Sequence, residues 1–255
     1  MIQRALTVIF YPLSVLLLIL FFIVLIIPIS LVIWPFEWQT RLKYTAPFWR
    51  IFGICVINLV CICKSKTIDR RDPSIRKLNI PPGLYVANHQ SFVDVPFLLS
   101  TFQVPPIMKK EILYAPIFGV CAYSAGTMVV DRKKNKSRRR TFVLAKERLT
   151  TYYSNLQYYP EGTRQKKDLP PRPIEKIKKP LIKFAYNNNI SVYPVSIYGT
   201  RKVLNSIAMI SYRTSIGKIL HEAVVPSNYQ SENDFCEAVW DKVCSGYLEL
   251  EKELS

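Results

Sequence analysis

Histidine is scarce in this sequence, and acidic residues are outnumbered by basic ones. The 255 residues include two histidines, His89 and His221, and 35 Lys and Arg against 18 Asp and Glu. The chain has no G-x-S-x-G nucleophile elbow and no G-x4-G-K-[ST] phosphate loop, so both of those chemistries are poorly supported. No cluster of potential ligands has metal-binding spacing, and we expect neither a metal nor a cofactor.

The six cysteines show no pattern that would bind zinc. Three of them lie in apolar sequence, where cysteine behaves as a small hydrophobic residue. We therefore predict reduced thiols in a protein that faces the cytoplasm. They are Cys55, Cys61, Cys63, Cys121, Cys236 and Cys244.

Basic and acidic residues are unevenly distributed along the chain. Lys and Arg outnumber Asp and Glu between residues 131 and 183, and the reverse holds between residues 221 and 255. A basic middle favours contact with something anionic, such as nucleic acid, a membrane surface or a phosphorylated substrate. A solvated basic face would produce the same pattern, so charge alone leaves these alternatives open.

A long run of residues near the N-terminus lacks charge. No charged residue occurs from Ala5 to Phe36, whereas about 20 apolar residues are enough to span a bilayer. We predict a helical membrane anchor, either one tilted span or a re-entrant pair broken at Pro12 and Pro28. Basic residues are far more frequent after this run than before it, which predicts that the domain after it lies on the cytoplasmic side of the membrane.

A second apolar stretch covers residues 46–63 and is interrupted by Arg50. It predicts a helix at the membrane interface or packed on the first run, with a core helix of the following domain as the alternative. We accordingly divide the chain into an anchor region, residues 1–63, and one further domain, residues 64–255.

Strand and helix patterns alternate in the second region. This order predicts an α/β domain with a mixed sheet flanked by helices. The predicted strands are residues 84–87, 156–159 and 190–197, and the predicted helices are residues 142–153, 180–187 and 235–254.

His89 is the strongest candidate for chemistry. It follows the first predicted strand, where α/β folds place their sites, and histidine is the usual general base near neutral pH. Asp94 comes five positions later and could orient the imidazole, although helix first-turn carboxylates are also common. His221 has Pro226 at the same offset, so we interpret it as a structural histidine.

A second candidate segment runs from Tyr159 to Arg164, with the sequence YPEGTR, at the end of another predicted strand. Glycine permits close backbone approach, and an arginine can bind phosphate through two points. By itself, the hexapeptide favours an ordinary glycine turn with a surface arginine over a phosphate site.

Taken together, these segments resemble the glycerolipid acyltransferase family. Asn88 to Asp94 is similar to its N-H-x4-D block, and YPEGTR is similar to its F-P-E-G-T-R block. Residues 110–132, ending in Asp131-Arg132, and Val192-Tyr193-Pro194-Val195 resemble two further blocks in the family's order. One departure is Ile177-Lys178-Lys179-Pro180, where family members often carry Lys-x-Gly.

The resemblance implies O-acyl transfer from acyl-CoA or acyl carrier protein to lysophosphatidic acid, at a membrane and without nucleic acid. His89 would act as base and Asp94 would orient it. Glu161, Gly162, Thr163 and Arg164, with Arg132, would hold the acceptor phosphate. Glycerol 3-phosphate and other lysophospholipids remain alternative acceptors, and a non-catalytic basic protein that binds membrane surfaces or nucleic acid is the alternative of another class.

Overall fold

The computed structural model describes most of the chain. The described residues are 12–13, 16–17, 19–73, 81–101, 104, 106–114, 119, 122, 126–152, 154–165, 169–206 and 209–255.

Nine strands lie within the described ranges. They are β1 (Lys64–Asp69), β2 (Gly83–Ala87), β3 (Ile107–Lys109), β4 (Met128–Val130), β5 (Asn155–Tyr158), β6 (Val192–Tyr198), β7 (Leu204–Ser206), β8 (Met209–Ile210) and β9 (Ser215–Leu220). Five of them form the main sheet in the order β1-β9-β6-β2-β5, and β3–β4 and β7–β8 form two small pairs. In the main sheet β5, β2 and β6 are mutually parallel, whereas β9 and β1 run in the opposite direction. The predicted mixed sheet is therefore present.

Helices cover both faces of the sheet. In the described part of the chain they are α1 (Ile27–Ile33), α2 (Trp38–Cys55), α3 (Asp94–Leu99), α4 (Asn135–Thr150), α5 (Pro180–Asn187), α6 (Thr200–Val203) and α7 (Glu232–Leu254). The predicted helix at residues 180–187 has those bounds. The helix predicted at residues 142–153 begins earlier, at Asn135. The sequence did not indicate its first two turns because they are polar on every side and carry no apolar period.

Alternation along β2 divides the core into two layers. Tyr85 points to a layer that contains Trp49 of α2 and Phe97 of α3. Leu84 points the other way, to a layer formed with α4, α5 and Trp240 of α7. All five residues of β2 are buried, as expected for a central strand covered on both faces. Burial of each large side chain contributes about 1.5–3 kcal/mol.

The long C-terminal helix α7 places its apolar residues at helical spacing. The Ser231 side chain caps its first turn by accepting a hydrogen bond from the backbone N–H of Asp234 at 3.2 Å. The buried stripe then faces the sheet. It consists of Phe235, Cys236, Val239, Trp240, Val243, Gly246, Tyr247 and Leu250.

The predicted anchor lies partly outside the described residues, which begin at residue 12. Within them, no helix is both long and apolar enough to cross a membrane. A π-helical segment, Phe22–Ile26, precedes α1. Pro28 has no N–H to pair with the carbonyl of Val24, which accounts for the irregular turn at this point.

Helix α2 packs against α3 and one face of the main sheet instead of standing apart. It begins at Trp38, before the predicted apolar stretch, and continues as a π-helical segment, Val56–Val60. Its side chains share a core with Phe97. Gly53 allows the close approach, because a Cβ there would lie 2.5 Å from the Pro96 carbonyl oxygen. The division after residue 63 thus separates elements with a common core, and it stays a prediction.

Candidate active site

Asn88 fixes the chain where it leaves β2. Its side-chain amide donates to the Ile197 carbonyl of β6 at 2.8 Å, and its Oδ1 accepts from the Ile197 N–H at 2.8 Å. The side chain thereby makes the two hydrogen bonds to Ile197 that a strand backbone would make, one residue beyond the end of β2. His89, the next residue, therefore emerges at a defined point at the end of two parallel strands.

Asp94 is fully buried, and its carboxylate is surrounded by hydrogen-bond donors. Oδ2 lies 2.7 Å from His89 Nδ1 and accepts from the backbone N–H groups of Gln90 and Ser91 at 2.7 and 2.9 Å. Oδ1 accepts from the Thr200 hydroxyl at 2.5 Å. Because an ionised carboxylate can only accept, the contact selects the tautomer of neutral His89 with its proton on Nδ1 and the lone pair on Nε2.

The other sides of His89 are held by residues that follow β5. The ring of Tyr159 stacks on the imidazole, with 4.2 Å between centroids and 24° between planes. Burial raises the pKa of the Tyr159 phenol well above its usual value, so the ring stays neutral. The His89 side chain is 16% exposed, which leaves an edge of the imidazole open to a substrate.

Glu161 is buried beneath the same histidine. Its Oε2 accepts from the His89 backbone N–H at 3.0 Å, and its Oε1 accepts from the Arg172 backbone N–H at 2.9 Å. Burial raises the pKa of Glu161, while the amides of Arg172 and His89 act in the opposite direction. Both oxygens are thus engaged by the protein, and the carboxylate connects the histidine to the loop before α5.

The remaining residues of the YPEGTR segment form a loop surrounded by cations. Gly162 has a φ of +72°, and a Cβ at this position would lie 3.0 Å from Lys178 Nζ. Arg132 donates to the Gly162 carbonyl at 2.5 Å. Arg172 donates to the Thr163 hydroxyl at 3.2 Å.

Arg164 lies over the ring of Phe92, with 3.4 Å between its guanidinium carbon and the ring centroid. Phe92 is half exposed and lies between His89 and Asp94 in sequence. Burial lowers the pKa of Arg164, Asp94 opposes this, and the positive charges of Arg201 and Arg132 lower it again. The positive charges of Arg201 and Arg132 therefore lie close enough to Arg164 to affect its ionisation.

The structure brings all the residues selected from the sequence into one region, and it adds others that the sequence did not indicate. Thr200 and Arg201 follow the fourth block, and no local pattern distinguishes them. Arg172 lies in a proline-rich loop, and Lys178 occupies the place where the family pattern fails. Among the described residues, no group of His, Cys, Asp or Glu could hold a metal ion.

The second histidine lies away from this site. His221 is buried, and its Nε2 lies 2.8 Å from the Ser196 hydroxyl, which also donates to the Val243 carbonyl of α7 at 2.8 Å. Burial lowers the pKa of His221 to about 4. A neutral histidine bound between β6 and α7 agrees with the structural role that we predicted.

Comparison with known proteins identifies relatives of the whole arrangement. A family profile described as acyltransferase matches residues 70–198, slightly more than half of the chain. A 1-acyl-sn-glycerol-3-phosphate acyltransferase from Chlamydomonas reinhardtii is 25% identical over 196 residues, which cover 74% of this chain and 57% of that protein. The protein of the same name from Haemophilus influenzae is 23% identical over 197 residues, covering 74% and 77% of the two chains.

A solved structure shares the fold. The crystal structure of the 1-acyl-sn-glycerophosphate acyltransferase PlsC from Thermotoga maritima superposes with a TM-score of 0.67 at 22% identity. The match covers 93% of this chain and 96% of that one. The described part of the chain is thus an α/β protein with a histidine–carboxylate pair at the ends of parallel strands. It belongs to the acyltransferase family.

Thr200→Val tests how much the stability of the protein depends on the Thr200 hydroxyl, the fourth donor to the buried Asp94 carboxylate. The substitution keeps the shape of the side chain but removes a hydrogen bond to a charged group, so we expect the free energy of unfolding to fall by about 1.5–3 kcal/mol. Thr200→Ser retains the hydroxyl and is the matched control. Chemical denaturation in detergent measures both, and equal stability of the two variants would contradict the assignment.

Proposed function

We propose that the protein transfers a fatty acyl chain from a thioester donor to the free hydroxyl of lysophosphatidic acid, giving phosphatidic acid. The proposal rests on one observation above all, the 2.7 Å contact between His89 Nδ1 and the buried Asp94 carboxylate. Family membership supports acyl transfer, and the relatives, which are named as 1-acyl-sn-glycerol-3-phosphate acyltransferases, support this acceptor.

In the proposed mechanism His89 acts as general base through Nε2. The acceptor hydroxyl loses its proton to Nε2 as its oxygen attacks the thioester carbonyl carbon. Asp94 keeps the proton on Nδ1 and stabilises the imidazolium that forms. When the tetrahedral intermediate collapses, the carbon–sulfur bond breaks and Nε2 returns the proton to the departing thiolate. The ester and the free thiol are the products.

The cations next to His89 suit an acceptor with a phosphate. Arg164 and Arg132 present guanidinium groups, which can bind a phosphate through two points. Gly162 and Thr163 contribute by receiving hydrogen bonds from Arg132 and Arg172, which holds those side chains near the loop. Because both Glu161 oxygens bind backbone amides, we assign Glu161 to positioning His89 instead of contacting the anionic phosphate.

The acyl donor is acyl-CoA or acyl carrier protein, since both supply a thioester. Glycerol 3-phosphate and other lysophospholipids carry the same hydroxyl and phosphate chemistry as lysophosphatidic acid. An acyl-transfer assay with each acceptor and each donor distinguishes these cases. Transfer to none of the phosphorylated acceptors would overturn the proposed function.

We also propose that the N-terminal region holds the enzyme on a membrane, with the domain that carries His89 on the cytoplasmic side. The charge-free run from Ala5 to Phe36 supports this. Several of its described side chains are exposed and apolar, which soluble surfaces seldom present together. They include Val24 (65% exposed), Leu31 (64%), Val32 (72%) and Trp34 (48%).

His89→Ala should reduce acyl transfer by at least about 100- to 10,000-fold, the usual contribution of general acid–base catalysis. Asp94→Asn should also reduce it, because the amide cannot accept from every donor around it. Initial rates with a saturating donor measure the effect, and thermal unfolding confirms that the variants are folded. Substantial turnover by folded His89→Ala would refute the mechanism.

Arg164→Ala should weaken acceptor binding about ten- to a hundredfold, since a charge-assisted contact to phosphate contributes about 1.5–3 kcal/mol. The KM of the donor should hardly change. Arg164→Lys should restore binding only partly, because an ammonium lacks the planar two-point contact. Each substrate is varied in turn at saturating levels of the other, and an effect on the donor alone would move Arg164 to the donor site.

Replacing Val24, Leu31 and Val32 together with glutamine should lower the affinity for vesicles of phosphatidylcholine and phosphatidylglycerol. The loss follows from removing apolar side chains that would otherwise enter the interface. The matched control replaces three exposed apolar residues elsewhere with glutamine, Val143, Leu144 and Leu248. Vesicle sedimentation at several salt concentrations measures binding, and equal affinity of both variants would refute the anchor proposal.

A further inference from the structure

Lys218 is a lysine with no exposed surface in the middle of β9. Lysine is rarely buried without a charged partner. None of the salt bridges found in the described part of the chain involves it. Burial lowers the pKa of its ammonium to about 7. Burial of this amine costs folding free energy, so its contacts should show why a lysine occupies the position.

The side-chain nitrogen of Lys218 contacts residues at the end of α3. Nζ donates to the Phe97 carbonyl and to the Ser100 hydroxyl, the latter at 3.0 Å. It also lies 4.1 Å from the centroid of the Phe97 ring. Carbonyl groups at a helix C-terminus lack intrahelical partners and carry partial negative charge. Nζ, which carries N–H donors in both its protonated and its neutral form, therefore caps the C-terminal end of α3 from the sheet.

Helix α3 is the element that supplies Asp94. Asp94 is its first residue, and Phe97 follows within the same turn. The same end of the helix also rests on α2, where a Cβ on Gly53 would lie 2.5 Å from both the Pro96 carbonyl oxygen and the Ser100 nitrogen. The C-terminal end of α3 is thus held by contacts with both β9 and α2.

We infer that Lys218 is a positioning residue for the His89–Asp94 pair, which it serves by fixing α3 against the sheet. The inference rests on the proposed function, in which this pair is catalytic. A short helix that shifts by a fraction of an ångström changes the contact between Asp94 and His89 Nδ1, and catalytic geometry tolerates such shifts poorly.

Stability alone does not account for this lysine. Replacing a buried charge with an apolar side chain of similar volume is often neutral or stabilising. The Phe97 carbonyl would stay satisfied without Lys218, because the Ser100 hydroxyl also donates to it at 2.7 Å. Because the fold does not need this lysine for stability, we explain its presence by its contacts with α3, which it holds in place.

The test is Lys218→Met in the full chain. We expect kcat to fall at least about tenfold, with unchanged KM for both substrates and an unchanged or higher Tm. Lys218→Gln keeps donor groups without the charge and should recover part of kcat. Ile219→Val, at the next buried position of the strand, perturbs the core without touching α3 and should leave kcat unchanged.

A pH titration of stability checks the state of the lysine independently of activity. Between about pH 7 and the ordinary lysine pKa of 10.5, the unfolded chain binds a proton that the folded chain does not. The stability contributed at this position therefore rises with pH across that window. Lys218→Met should lack this rise.

The outcomes separate the two proposals. If His89→Ala is inactive while Lys218→Met keeps full kcat, the inference about Lys218 is overturned and the proposed function stands. If folded His89→Ala keeps its activity, the proposed function itself fails. If neither Lys218→Met nor Lys218→Gln folds, the lysine has a structural role, and the inference is also overturned.

Discussion

The buried carboxylate of Asp94 is the interaction on which the site depends. An ionised group without exposure costs several kcal/mol unless donors replace its water. Its donors come from the His89 ring, from two backbone amides of the turn before α3 and from Thr200, which follows β6. Thr200 is 106 residues away from Asp94 in sequence, whereas the other donors lie within five residues of it. The carboxylate is therefore satisfied only when β2 and β6 are already paired.

A second carboxylate, that of Glu161, holds the backbone of the same histidine. Asp94 binds the ring of His89, whereas Glu161 binds its backbone N–H and, with its other oxygen, the amide of Arg172. The base and the cationic loop are thus tied to one another through Glu161. In our proposal, a change that displaces the loop also displaces the base, so binding and chemistry are coupled through a residue that touches neither substrate.

Local patterns were enough to predict the strand before His89, the helix that begins at Pro180 and the amphipathic helix α7. The edge strand β1 escaped prediction because its sequence, KSKTID, is mostly polar. The interior strand β9 escaped because Lys218 interrupts its apolar residues. Thr200 could not be found either, since a single threonine carries no signal until the sheet brings it to Asp94. In each case the missing information is a contact between distant parts of the chain.

The charges around His89 explain why an anionic substrate completes this site in our proposal. Both nearby carboxylates are occupied, Asp94 by its donors and Glu161 by backbone amides. Neither is paired at contact distance with Arg164, which instead lies on an aromatic ring. Arg132 and Arg201 add positive charge at the same place, and each lowers the pKa of Arg164. Like charges brought together in this way repel one another, and a phosphate placed among them would convert that repulsion into binding. In our proposal, binding of the phosphate among these cations, which come from three separate parts of the chain, relieves their mutual repulsion and so favours the occupied state.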